Sequence, residues 1–94
     1  MHGDGEAHYF FPPASAYGLN RCLFGLKSDD AFRARYVADP EAAMAELELG
    51  PEDRAALRAF DRDDMVSRGA HPYLVFMAGL RLRMEREPST FERF

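Results

Sequence analysis

The chain has a single cysteine and no excess of basic charge, and each shortage removes a class of function. Cys22 alone excludes an internal disulfide framework and fits a reducing, cytoplasmic setting. Sixteen acidic residues against twelve basic ones give a net charge of −4, whereas a nucleic-acid binder gathers a basic excess on one face. No apolar run approaches the roughly 20 residues that a membrane helix needs. The opening Met1-His2-Gly3-Asp4-Gly5-Glu6 is acidic and glycine-rich, the opposite of a signal peptide. Apolar–polar alternation of strand length is missing, as are internal repeats and low-complexity segments.

What remains is one all-α domain of 94 residues, 47% hydrophobic and 13% aromatic, with enough apolar content for a modest core. We expect a compact orthogonal bundle of about five or six short helices over residues 14–87. An extended arm, 1–13, precedes it and a polar tail, 88–94, follows. Tyr9, Phe10 and Phe11 stand before Pro12-Pro13, which hold the arm extended; these aromatics pack either on the chain's own core or on a partner.

Each helix carries its own punctuation. The first starts near Ala14 or Ser15 and runs to Leu26, with Leu19, Cys22, Leu23 and Leu26 on one face. Ser28 caps the second, where Phe32 and Tyr36 share a face and Asp29 and Asp30 complement the dipole. Asp39-Pro40 and Gly50-Pro51-Glu52-Asp53 open the third and fourth, which bury Met44 and Leu47, then Leu57 and Phe60. Asp61 caps a fifth through Met65 and Val66, stopped by Gly69; Pro72 opens the last, which runs to about Arg86. That helix is apolar around most of its girth. Tyr73, Phe76, Met77, Leu80 and Met84 form one stripe, and Leu74, Val75 and Leu82 lie off it. Such a helix is either central in its own core, the reading we favour here, or sandwiched by a second surface.

Catalytic chemistry finds few residues to stand on. Cys22 sits on an apolar stripe and reads as a small core hydrophobe rather than a nucleophile. His2 and His8 lie on the arm and His71 stands far away, so no spacing suggests a metal centre. No glycine loop cradles a phosphate; Gly79, inside the last helix, permits a close backbone approach. Asp61, Asp63 and Asp64 read as caps and dipole partners. Arg81 and Arg83 read as i,i+4 partners of Glu85 and Glu87. His71, between Gly69-Ala70 and Pro72, either caps the last helix or projects from a rigid turn into a neighbouring site.

The ordered set of Leu19-Asn20-Arg21-Cys22-Leu23, Asp29 to Tyr36, Asp39-Pro40-Glu41-Ala42, Leu49-Gly50-Pro51-Glu52-Asp53 and Gly69-Ala70-His71-Pro72-Tyr73-Leu74 resembles the small (alpha) subunit family of protocatechuate 4,5-dioxygenase, over about residues 16–84. The resemblance implies a non-catalytic small subunit in an Fe(II) extradiol, ring-opening dioxygenase. In that class the catalytic large (beta) subunit holds the iron on a two-histidine, one-carboxylate face, and the small helical subunit packs over its cleft. It further implies that His71, Tyr73 and Leu74 line the substrate pocket in the complex, with Phe10, Phe11, Tyr17 and Phe76 at the partner interface. The chain departs from the family in being short at its C-terminus and in carrying His71 where such enzymes tend to place asparagine. The competing readings are a stand-alone binding module, such as an adaptor or the recognition domain of a modified-peptide precursor, and a homo-oligomer.

Overall fold

The computed structural model describes residues 16–47 and 49–87. They form six helices: α1 (Tyr17–Ser28), α2 (Asp30–Ala38), α3 (Pro40–Ala45), α4 (Pro51–Ala59), α5 (Arg62–Ser67) and α6 (Pro72–Arg86). Among the described residues there is no strand. The expected arm and tail, with Phe10 and Phe11, lie outside them.

Local chemistry starts most of these helices. Asp29 Oδ1 accepts from the Phe32 amide at 3.0 Å, Asp39 Oδ1 from Ala42 at 3.2 Å and Asp61 Oδ1 from Asp64 at 3.1 Å. Each bond satisfies a first-turn amide that the helix cannot pair internally. Proline stands at the first position of α3, α4 and α6, where its missing N–H costs nothing. The expected cap at Ser28 is displaced by one residue: Ser28 ends α1, and Asp29, already extended, caps α2. A carboxylate is the stronger partner for a helix N-terminus, because it also meets the dipole. Gly69, at φ 104°, takes the left-handed turn between α5 and α6 that a residue with Cβ would resist.

One core gathers the inner faces. Leu19, Cys22, Leu23 and Leu26 of α1 are all buried, together with Phe32 and Tyr36 of α2, Met44, Leu57 and Met65. Leu47, Phe60 and Val66 pack at its edge. The close approach at Gly79 is not by the backbone expected there: a Cβ would lie 3.0 Å from the Phe60 ring, so the neighbour is an aromatic side chain.

Two further expectations need correction. The stripe of Tyr73, Phe76, Met77, Leu80 and Met84 does not face the core; the buried residues of α6 are Val75, Ala78 and Leu82, with Leu74 packed at their flank. The helix is apolar on both sides, and the inward side is the one where small Ala78 lets it lie close to its neighbours. The arginine pairs also differ. Glu85 bonds Arg33 Nε at 3.2 Å, and Arg81 Nε donates to the Lys27 carbonyl at 3.3 Å. Both arginines are drawn to the end of α1, because its last carbonyls lack helical donors. Arg33 donates to the Leu26 carbonyl at 2.9 Å and also pairs with Asp30. Burial works against the Arg33 charge, but the hydrogen bonds it donates to Glu85 and Asp30 outweigh that and raise its pKa further.

Candidate functional site

The Leu19-Asn20-Arg21 and Gly69-Ala70-His71 stretches, about fifty residues apart, meet in space through one side chain. Asn20, on α1, accepts from the His71 amide at 2.8 Å and donates to the Gly69 carbonyl at 3.0 Å. Its amide also donates to the Ala16 carbonyl at 3.1 Å, so three of the bonds an asparagine can make are formed. The turn entering α6 is thereby clamped to α1 across about fifty residues of sequence.

His71 sits on that clamp as the N-cap of α6. Its Nδ1 accepts from the Tyr73 amide at 3.1 Å, the capping role expected of it. The imidazole is half-buried and its orientation is fixed from two sides, by the clamp on its backbone and the cap on its ring. Tyr73 projects outward and is 54% exposed. Leu74 does not share that surface: it is half-buried and packs against the core.

Of the residues expected at a partner interface, Tyr17 and Phe76 are exposed large hydrophobics, Phe76 to 63%. Phe24 is a further one that the sequence reading passed over. The signal was available, since Phe24 lies seven residues after Tyr17 on the side of α1 away from its buried stripe. Lys27 ties Phe24 to α6: its ammonium stands 5.6 Å from the Phe24 ring centre and 5.8 Å from that of Tyr73. On the opposite flank of α6, Phe76, Gly79 and Leu80 line a groove of about 250 Å³ against Phe60, with Arg62 and Arg83 at its rim. An apolar concavity flanked by exposed aromatics is suited to receiving side chains of another protein.

Cys22 is buried in the core, and burial pushes its thiol up to about 12, which suppresses the thiolate a nucleophile needs. Among the described residues no three His, Cys, Asp or Glu side chains gather where they could hold a metal ion. No described helix is long and apolar enough to cross a membrane. A family model described as aromatic-ring-opening dioxygenase LigAB, LigA subunit, matches residues 19–87. No curated protein and no solved structure gives a significant match.

Proposed function

Because the chain belongs to the LigA family of aromatic-ring-opening dioxygenase subunits, we propose that it is a non-catalytic small subunit that caps the active site of a LigB-type large subunit. The large subunit supplies the Fe(II) and carries out extradiol cleavage of a catechol-type ring with O₂, in the cytoplasm. This chain supplies a wall. The observation that carries the reading is the outward face of α6: a helix anchored by Val75, Ala78 and Leu82 exposes Tyr73 and Phe76, with half-buried Met77, Leu80 and Met84 beside them, on the side away from its buried residues. A second apolar face on a helix that has satisfied its first is what a protein partner covers.

In this arrangement the α6 outer face and the neighbouring aromatics of α1 dock on the large subunit. The His71 turn stands at the edge of the substrate pocket, with Tyr73 beside it. The clamp by Asn20 would keep His71 in place without substrate bound, since preorganised groups lose no order on binding. The test is co-expression with a LigB-type large subunit encoded beside this chain. The two are expected to co-purify, and ring opening by the pair is expected to exceed that of the large subunit alone. A chain that neither co-purifies nor alters turnover is not that subunit.

A further inference from the structure

A second cavity lies at the far end of α6, about 20 Å from His71 at roughly 1.5 Å per helical residue. It measures about 220 Å³ and opens between α2, α3, α4 and α6. One wall is the phenol of Tyr36, whose residue is only 3% exposed. Among the described residues nothing hydrogen-bonds its hydroxyl. Buried polar groups are nearly always paired, so an unpaired one in a cavity wall calls for a partner.

The charges around it define what that partner is. Glu41, Arg58 and Arg86 line the same cavity and all act electrostatically on the phenol. Glu41 and Arg58 neutralise each other across 2.5 Å. Arg86 forms no ion pair with a described residue, which leaves one positive charge uncompensated beside one O–H donor. Buried Leu57 and Leu82 make the opposite side apolar. Phe60 completes the rim and holds a left-handed backbone, φ 47°, that bulky residues rarely adopt.

We propose that this cavity binds a small monocarboxylate with an apolar body, its carboxylate between the Arg86 guanidinium and the Tyr36 hydroxyl and its body against Leu57 and Leu82. One net positive charge matches a monoanion, and a phosphate dianion would meet the carboxylate of Glu41. The volume falls short of the roughly 300–1,000 Å³ of pockets that take drug-sized ligands, so the body is small. The site lies at the opposite end of α6 from the His71 turn, and binding there does not depend on a large subunit.

The experiment uses the purified full chain, with benzoate as the probe. Benzoate is expected to shift the amide resonances of Tyr36, Glu41, Arg58 and Leu82 saturably and to raise the melting temperature. Arg86→Gln removes the charge and is expected to weaken benzoate by about tenfold, the usual worth of a hydrogen bond to a charged group. Tyr36→Phe keeps the ring and deletes the unpaired hydroxyl. It is expected to melt no lower than the parent without ligand, yet to bind benzoate about tenfold more weakly. A non-saturable response, an equal response to inorganic phosphate, or binding that survives both substitutions overturns the proposal.

Discussion

At the scale of single residues, His71 does two separable things: it caps α6 through Nδ1, and it presents an imidazole beside Tyr73. Asparagine is also a strong N-cap, so His71→Asn keeps the first and removes the second, whereas His71→Ala removes both. The alanine variant is expected to lose about 0.5–2 kcal/mol in denaturant unfolding and the asparagine variant almost none. In the assembled dioxygenase, both are expected to lower the ring-cleavage rate or shift preference among catechols. Parent-like kinetics for His71→Asn across several catechols would reduce His71 to a cap. Asn20→Ala strips the partners from the His71 amide and the Gly69 carbonyl, and is expected to cost about 1–3 kcal/mol by the same measurement. The cap at His71 is legible from sequence because donor and acceptor lie two residues apart. The clamp by Asn20 is not, because its bonds reach across 49 and 51 residues and nothing local encodes that distance.

Elements repeat that division between local and remote information. Asp39-Pro40, Gly50-Pro51 and Asp61 each fix a helix start by bonds or dihedrals within a few residues, and all three starts can be read from the chain. The α1 stripe is equally legible, since Leu19, Cys22, Leu23 and Leu26 recur at helical spacing on one face. For α6 the pattern offers two apolar faces, and only packing against the other helices selects Val75, Ala78 and Leu82. That selection separates two kinds of mutation on one helix. Leu82→Ala cuts into the core and is expected to cost about 2–5 kcal/mol. Phe76→Glu changes a residue 63% exposed and is expected to leave stability within about 0.5 kcal/mol of the parent. The same charge, placed on the face proposed to dock, is expected to abolish co-purification with the large subunit, while Leu82→Ala that remains folded still co-purifies. A Phe76→Glu chain that binds the large subunit as the parent does would move the interface off this face of α6.

For the molecule as a whole, the shared core makes stability depend on pH at the alkaline end. Burial raises the Cys22 thiol from 9.0 to about 12 and the Tyr36 phenol from 10.0 to about 12. Both groups become charged on losing a proton, and the apolar core disfavours that form. Above pH 9 the unfolded chain therefore releases protons that the folded chain retains, and stability falls as pH rises. The contribution is fully present below the ordinary values and is lost progressively up to about 12. At the acid end the sign reverses. The hydrogen bond from Arg58 lowers the Glu41 pKa, so that pair stabilises above the ordinary glutamate range and lets go as pH falls, but it is exposed and screened. Denaturant midpoints measured against pH are thus expected to stay nearly level around neutrality and to drop steeply above pH 9. The double variant Cys22→Ala, Tyr36→Phe carries neither ionisable group and is expected to lose the steep limb even though its neutral-pH midpoint differs from the parent. A double variant that falls as steeply as the parent would place the alkaline loss outside the junction of α1 and α2 and deny these two side chains the burial assigned to them.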